Sequence, residues 1–257
     1  MARLTTRAVN SPEDVIRHFD ALAPVYAETH GSAERLLSYR LGVIRRLLVG
    51  APRGRLLEIG CGTAIHLVAL AGDFDQAVGT DMSPAMVEAA HRLADRVGTD
   101  ADISFRVDPA EALATVADAS VDAVVCVGAL EHMPDKACVL GQVRRVLTPG
   151  GRFACLTPNA DYCWYRHVAP ALGRDVRHLS TDRFVTTAEL ASLLSAARLT
   201  VVDRHYWTFV PRGDMPAGVG AILTALDWCA RPTGWSYPRG GIAIAATPCA
   251  GAAHRSR

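Results

Sequence analysis

The sequence lacks the features that would place the protein in or across a membrane. No apolar run approaches the roughly 20 residues that a membrane-spanning helix needs, although half of the 257 residues are hydrophobic. The N-terminal stretch 1–7 carries charges with no apolar segment behind them, so we expect no secretory signal. These absences favour a cytoplasmic protein that has no membrane partner.

The sequence also lacks the patterns of a disulfide framework, a metal site or a nucleic-acid surface. Its seven cysteines are odd in number and far apart, and no Cys-x-x-Cys occurs. No other spacing typical of metal ligands is found, so we expect no bound metal. The formal net charge is +1 and no basic stripe occurs, so we expect no nucleic-acid partner.

The most informative stretch that is present covers residues 55–63, which read Arg-Leu-Leu-Glu-Ile-Gly-Cys-Gly-Thr. It predicts a short buried strand, a glycine turn, and a helix that begins near Thr63. Gly60 and Gly62 allow a sharp turn and leave the backbone open to a ligand. Amide groups at the start of the following helix favour negative charge there, and Glu58 brings a carboxylate to the edge of the turn.

This stretch differs from the dinucleotide-binding pattern in two ways. Dinucleotide-binding enzymes have a third glycine three places after the second, where this sequence has Ile65. The carboxylate of Glu58 also argues against a pyrophosphate at the turn. A nicotinamide-dependent reductase is therefore the alternative enzyme, and the absence of a Tyr-x-x-x-Lys pair after the fourth predicted strand also counts against it.

Carboxylates recur where the next two predicted strands end. Asp81 ends the second strand, about 20 residues beyond the glycine turn, where it can accept both hydroxyls of a ribose. Asp108 ends the third strand, and a continuous apolar run before the segment 127–132 predicts a fourth strand that is buried on both faces. Because ligands of doubly wound sheets bind outside the C-terminal ends of the strands, these residues are predicted to surround one site.

These motifs resemble those of class I S-adenosylmethionine-dependent methyltransferases. The resemblance is clear over residues 19–159. It rests on the segment 19–26 and on four successive strand ends: Glu58-Ile59-Gly60-Cys61-Gly62-Thr63, Asp81, Asp108-Pro109-Ala110-Glu111, and the segment 127–132 with Leu130-Glu131-His132. It implies that the cofactor is S-adenosyl-L-methionine and that the methyl acceptor is an O, N or C nucleophile of a small molecule. Aromatic residues in the C-terminal third favour a hydrophobic or aromatic acceptor of the kind found in secondary metabolism.

The resemblance also implies roles for individual residues. Asp81 would bind the ribose, Met82 would lie against the adenine, and Asp108 would accept a hydrogen bond from the adenine amine. The other implied cofactor contacts are Tyr26 over the methionine moiety, Glu58, Gly60, Cys61, Gly62, Pro109, Ala110, Val127 and Gly128. Purely structural roles remain open for several of them: an aromatic staple for Tyr26, a core methionine for Met82, and a cap for Asp81 or Asp108.

The fold that the resemblance implies is α/β and doubly wound. Its seven-stranded sheet is mostly parallel, in the order 3-2-1-4-5-7-6 with strand 7 antiparallel, and has helices on both faces. Residues 1–50 are expected to form N-terminal helices that cover cofactor and substrate, and residues 51–257 a Rossmann-like core with aromatic inserts at about 160–185 and 208–238. The second insert is a candidate lid or dimer contact, so a monomer and a homodimer both remain open.

Two local features complete the predicted secondary structure. Gly150 and Gly151 indicate a sharp turn before a strand at 152–157, and Thr187 is expected to cap a helix over 187–197.

Neutral phenols or alcohols need a base before methylation, and His132 and His178 are the candidates. Catalysis by positioning alone, a structural role for each histidine, and an inactive cofactor-binding partner subunit remain alternatives.

Overall fold

The computed structural model describes residues 7–9, 11–26, 34–173, 175–207 and 236–249, together with single positions between 218 and 234. Its main helices are α1 Pro12–Leu22, α2 Glu34–Leu47, α3 Ile65–Leu70, α4 Pro84–Val97, α5 Lys136–Val146 and α6 Thr187–Ala196. Its strands are β1 Arg55–Ile59, β2 Gln76–Asp81, β3 Asp102–Val107, β4 Val121–Val127, β5 Leu147–Pro158, β6 Leu199–Trp207 and β7 Gly241–Pro248. None of the helices in this part of the chain is long and apolar enough to cross a bilayer.

The seven strands form one sheet in the order β3-β2-β1-β4-β5-β7-β6, which confirms the predicted fold. Strands β1 to β5 pair in parallel, and β7 pairs antiparallel with both β5 and β6. The strand order reverses direction between β1 and β4, which is where doubly wound sheets bind their ligands. The C-terminal ends of β1, β2, β3 and β4 therefore share one edge of the sheet.

Two apolar layers pack on opposite faces of this sheet. Alternate residues of β4 contribute to each layer: Val124 and Cys126 to one, Ala123 and Val125 to the other. All four side chains are buried, as expected for a parallel strand that is covered on both faces. This rigid core fixes the positions of the strand ends that carry the predicted site.

The starts of α3 and β5 differ from the sequence prediction. Helix α3 begins at Ile65 rather than near Thr63, because Ala64 adopts a left-handed conformation with φ of 59° that extends the glycine turn. Strand β5 begins at Leu147 rather than 152. The register with β4 shifts between the Leu147 and Arg152 pairs, so the glycine pair lies within an irregular strand rather than in a turn before it.

The cap of α6 differs from the prediction by one residue. Thr186, not Thr187, is the N-cap, and its hydroxyl accepts a hydrogen bond from Glu189 N at 3.0 Å. The Thr187 hydroxyl instead accepts a hydrogen bond from the Tyr206 hydroxyl at 3.0 Å in the core.

The division of the chain into N-terminal helices over 1–50 and a core over 51–257 stays a prediction. Helices α1 and α2 occupy the N-terminal region, and the insert 160–185 contains helical turns over Trp164–Val168 and Ala169–Ala171. Most of the insert 208–238 lies outside the described residues, and the predicted lid or dimer contact lies there with it.

Candidate active site

A cavity of about 620 Å³ lies at the C-terminal edge of β1 to β4. The walls contain ten of the predicted site residues: Tyr26, Gly60, Gly62, Asp81, Met82, Asp108, Pro109, Ala110, Gly128 and His132. Four predicted site residues are not among the lining residues, namely Glu58, Cys61, Val127 and His178. The motifs that are scattered along the chain therefore meet at one concave surface.

The glycine turn forms the floor of this cavity beside β1. Gly60 and Gly62 have φ of 61° and 52°, a region that glycine adopts without strain. A Cβ at Gly60 would stand 2.7 Å from the Cβ of Ala129, so no larger residue fits without a shift of the neighbouring chain. Cys61, between the two glycines, is buried, and burial raises the pKa of its thiol.

Asp81 at the end of β2 links the glycine turn to the start of α4. Its Oδ2 accepts a hydrogen bond from Gly62 N and its Oδ1 accepts one from Ser83 N, both at 2.9 Å. Burial raises the pKa of Asp81, and these peptide donors partly oppose that rise. Each oxygen has capacity for a second donor, so the carboxylate can hold two ligand hydroxyls while it keeps its backbone partners.

Asp108 organises the loop that follows β3. Its Oδ1 accepts from Ala114 N at 3.0 Å, and its Oδ2 accepts from Thr115 N at 2.8 Å and from the Thr115 hydroxyl at 2.7 Å. These bonds give Asp108 the capping role that the sequence had left as an alternative. They also order Pro109 and Ala110 against the cavity, while the predicted bond to an adenine amine stays a prediction.

Glu58 is buried in β1 just before the glycine turn and is not among the residues that line the cavity. Its Oε1 lies 3.4 Å from His66 Nδ1, and its Oε2 has no hydrogen-bond partner among the described residues.

Tyr26 lines the cavity, and burial raises the pKa of its hydroxyl to about 12. Its aromatic edge would be 3.4 Å from a Cβ built at Gly62, so the ring covers the glycine turn.

His132 lines the cavity and pairs with a buried carboxylate. Its Nδ1 lies 2.6 Å from Oδ1 of Asp182, and its side chain is 15% exposed whereas that of Asp182 is 0% exposed. Nε2 has no hydrogen-bond partner in the part of the chain that the structure describes. Burial alone would lower the pKa of His132, but the bond to Asp182 and the charges of Glu131 and Asp182 outweigh it and raise this pKa above its ordinary value.

Asp182 is the functional residue that sequence reasoning missed. Burial would raise the pKa of its carboxyl, but the hydrogen bond from His132 and the peptide donors hold it below the ordinary value. The peptide N–H groups of His178 and Leu179 donate to Oδ2 at 2.9 and 2.8 Å. The ring of His178 lies 6.1 Å from that of His132 and does not line the cavity, so His178 contacts Asp182 through its peptide N–H rather than joining the wall.

Helix α1 lies against the cavity. The sequence predicts N-terminal helices that cover the site but does not identify the residues that face it. Helix α1 presents an apolar face at helical spacing, and Val15, Ile16 and Phe19 line the cavity. The Phe19 ring meets the His132 ring edge-on, with centroids 5.3 Å apart. Asp20 anchors the helix, because its Oδ1 accepts from the Ser83 hydroxyl at 2.5 Å and from Ala85 N at 3.2 Å.

Comparison with known proteins agrees with this geometry. A family model described as a methyltransferase domain matches residues 57–155. A ubiquinone biosynthesis O-methyltransferase of Paracidovorax citrulli is 31% identical over 164 residues, which cover 61% of this chain and 68% of that protein. One from Xanthomonas oryzae pv. oryzae is 32% identical over 158 residues, and there the match spans 64% of the relative, just under two thirds.

Two solved structures show the same fold. The [4+2]-cyclase SpnF superposes with a TM-score of 0.68 at 18% identity, covering 98% of this chain and 100% of its own. The geranyl diphosphate C-methyltransferase of Streptomyces coelicolor, solved with Mg²⁺, geranyl diphosphate and S-adenosyl-L-homocysteine, gives a TM-score of 0.58 at 17% identity and covers 82% of this chain and 78% of its own. In the part of this chain that the structure describes, no cluster of three or more metal-ligating side chains occurs.

Proposed function

The chain belongs to the class I S-adenosylmethionine-dependent methyltransferase family, and from that premise we propose that it methylates a hydroxyl group of a small, hydrophobic or aromatic molecule. One observation carries the proposal: His132, the glycine turn and Asp81 all line the same cavity, and His132 is paired with Asp182. We expect the reaction to take place in the cytoplasm and to need no nucleic-acid partner.

The cavity residues fit the cofactor. Asp81 retains acceptor capacity for the ribose hydroxyls while Gly62 N and Ser83 N hold it in place. The backbone at Gly60 and Gly62 leaves no side chain between the turn and the cavity, and Tyr26 covers that turn. The Glu58 oxygen that lacks a hydrogen-bond partner among the described residues is a buried acceptor in the strand that leads directly into this turn.

The cofactor, when bound, supplies an electrophilic methyl group, and His132 deals with the proton of the acceptor. With Nδ1–H donating to Asp182, the neutral ring keeps an acceptor lone pair on Nε2. Nε2 is placed to take the hydroxyl proton, so that the acceptor oxygen can carry the negative charge that a methyl transfer requires. Asp182 remains ionised and stabilises the resulting imidazolium.

The walls around His132 keep the acceptor oriented and water out. Phe19 packs against the His132 ring, and Met133 and Ile16 add apolar surface to the same cavity. Positioning of this kind contributes to the rate separately from the base. Among the described wall residues, the unpartnered ring nitrogen of His132 stands beside apolar side chains, which suits an aromatic or alicyclic alcohol better than a strongly solvated acceptor.

The proposal is tested with methyl-labelled S-adenosyl-L-methionine and a panel of hydroxylated aromatic compounds. We expect label in the organic product and release of S-adenosyl-L-homocysteine. Calorimetry should show heat with S-adenosyl-L-homocysteine and none with a nicotinamide dinucleotide. Dinucleotide binding would favour the reductase alternative, and binding of S-adenosyl-L-methionine without turnover on any acceptor would favour an inactive partner subunit or non-methylating chemistry.

A further inference from the structure

The charged side chains that line the cavity carry no fixed positive charge. They are the carboxylates of Asp81, Asp108 and Glu111 together with the imidazole of His132. No lysine or arginine is found among the described residues of the wall. The remaining lining residues are apolar, small or hydroxylated, so the ionisable side chains of the described wall are acidic apart from His132.

The basic side chains that lie close to His132 or Asp182 in the chain are engaged with other groups. Lys136 is buried behind the wall, where its Nζ donates to the carbonyl of Met133 at 2.8 Å. Arg183 pairs with Glu189 on the surface, and Arg177 donates to both carboxylate oxygens of Asp175, at 3.1 Å from Nε and 2.8 Å from Nη2. None of these three cations lines the cavity.

Two further cations lie outside the lining. Arg7 acts through its charge on His18, the neighbour of Phe19 on α1, and the second cation is Arg40 of α2. The Arg40 guanidinium interacts electrostatically with Tyr26, which covers the glycine turn, and with Glu131; burial lowers its pKa and these two groups oppose that change. Arg40 is not among the lining residues. Its charge therefore acts on Tyr26 and Glu131 from outside the described lining.

The side chains beside His132 on the cavity wall are apolar. The ring of His132 contacts Phe19 on α1, and Ile16 lies one helical turn earlier on the same face of that helix. Met133 follows His132 directly and lines the same wall. An acceptor whose hydroxyl reaches Nε2 of His132 must therefore bury the rest of its surface among these apolar side chains.

We propose that the acceptor is an uncharged hydroxy compound and that the cavity rejects otherwise similar compounds that carry a carboxylate or phosphate. This inference rests on the proposed function and adds the charge class of its substrate. A buried anion is tolerated when a cation or several hydrogen-bond donors accompany it. Among the described lining residues no lysine or arginine occurs, and the neutral side-chain donors are the hydroxyls of Ser11, Tyr26 and Thr181, which supply no compensating charge. The acidic side chains on the wall have the same sign as such an anion.

The test compares two probes that differ in charge and little in size: methyl 3,4-dihydroxybenzoate and 3,4-dihydroxybenzoate. Binding of each is measured by calorimetry on the full chain saturated with S-adenosyl-L-homocysteine, and turnover with labelled S-adenosyl-L-methionine. We expect the ester to bind, and the acid to show an affinity and a kcat/KM lower by about 100-fold or more, because an unpaired charge is buried. A second pair, 3-hydroxy-2-naphthoate and its methyl ester, repeats the comparison on a larger ring.

Two variants identify the cause of the selectivity. Ile16→Arg introduces a cation on the wall beside Phe19 and should raise the acid-to-ester ratio of kcat/KM by about 10-fold or more. Ile16→Gln, which is polar but uncharged, is the matched control and should leave that ratio near the wild-type value. Circular dichroism and the affinity for S-adenosyl-L-homocysteine establish that both variants are folded and able to bind the cofactor product.

The outcomes separate this inference from the proposed function. Equal use of acid and ester, preference for the acid, or failure of both esters to bind would overturn the inference even if methyl transfer to another acceptor is found. An unchanged ratio in Ile16→Arg would also count against it. By contrast, failure to bind S-adenosyl-L-homocysteine or to transfer methyl to any acceptor contradicts the proposed function itself.

Discussion

The ring nitrogen Nδ1 of His132 lies 2.6 Å from the buried carboxylate oxygen Oδ1 of Asp182, fifty residues further along the chain. The pairing selects the tautomer in which Nδ1 carries the proton, because an ionised carboxylate can only accept. Nε2 then has its lone pair free at the cavity side. A purely structural histidine would need the contact with Asp182 alone, whereas a general base also needs the lone pair on Nε2.

Replacing His132 with Gln should lower kcat by about 100- to 10,000-fold, the usual contribution of a positioned base. Glutamine retains a hydrogen-bonding group of similar reach, so the effect on folding should be small. The measurement is single-turnover methyl transfer with labelled cofactor, and the dissociation constant for S-adenosyl-L-homocysteine serves as the control. Full activity in this variant would assign His132 a structural role only.

The Asp182→Asn variant should change the pH dependence of the reaction. His132 must be neutral to accept a proton, so the rate should rise with pH through its pKa, which Asp182 and Glu131 hold above the ordinary value of 6.5. Loss of the Asp182 charge lowers that pKa, because the imidazolium loses a stabilising partner. The rising limb of kcat should therefore move to lower pH while its plateau falls.

The control for this pH experiment is Asp175→Asn in the same loop. Asp175 pairs with Arg177, and its carboxylate is not among the main groups that set the pKa of His132. Its pH profile should match the wild type. An Asp182→Asn profile with an unmoved limb would mean that His132 is not the group that controls the rate.

Local patterns account for what the sequence could predict of the site. Gly60 and Gly62 belong to a single turn, and Asp81 comes directly at the end of a buried strand. Each of these positions follows from a few neighbouring residues, and the sheet topology then brings the strand ends together. The order of the seven strands could be predicted because the same motifs, in the same sequence order, resemble those of a family with a known topology.

Asp182 could not be predicted in this way because its contact depends on packing of irregular chain. The loop that holds it pairs with the N-terminal segment: Arg7 N donates to the His178 carbonyl and Ser180 N donates to the Arg7 carbonyl, at 3.0 and 2.9 Å. No periodicity marks such a contact between segments so far apart in the chain. The spacing in α1 likewise predicts a helix with one apolar face and leaves open whether that face meets the sheet or a cavity.

Replacing Asp81 with Ala should weaken binding of S-adenosyl-L-homocysteine by about 1–3 kcal/mol, the cost of losing charge-assisted hydrogen bonds. The variant removes the ligand's acceptor and also leaves Gly62 N and Ser83 N without theirs. Asp95→Ala, at an exposed position late in α4, is the control and should bind normally. Calorimetry measures both, and an unchanged affinity in Asp81→Ala would remove this carboxylate from the cofactor site.

Gly60→Ala should lower the free energy of unfolding more than Gly98→Ala, a substitution at a glycine with a similar positive φ. Gly98, at the end of α4, has φ of 64° with no heavy atom within 4 Å of a Cβ built there, so Gly98→Ala reports the strain of about 1–2 kcal/mol alone. At Gly60 the Cβ also meets Ala129 at 2.7 Å and Met133 at 3.1 Å, which adds about 1–3 kcal/mol of overpacking. Urea unfolding of the two variants measures the difference, and equal free energies of unfolding would contradict the close approach.

Asp20→Ala should loosen α1 and thereby raise the KM for the acceptor more than it weakens cofactor binding. The carboxylate of Asp20 holds the start of α4 through Ser83 and Ala85, so its loss frees one end of the helix whose Phe19 packs on His132. The exposed Glu13→Ala, on the first turn of α1, is the matched control. Hydrogen exchange of α1 amides should accelerate in Asp20→Ala only, while the rate constant for chemistry at saturating acceptor changes less than KM does. If exchange in α1 and the acceptor KM both stay at wild-type values, the helix is held by its apolar face alone, and the contact with α4 contributes nothing to the position of Phe19.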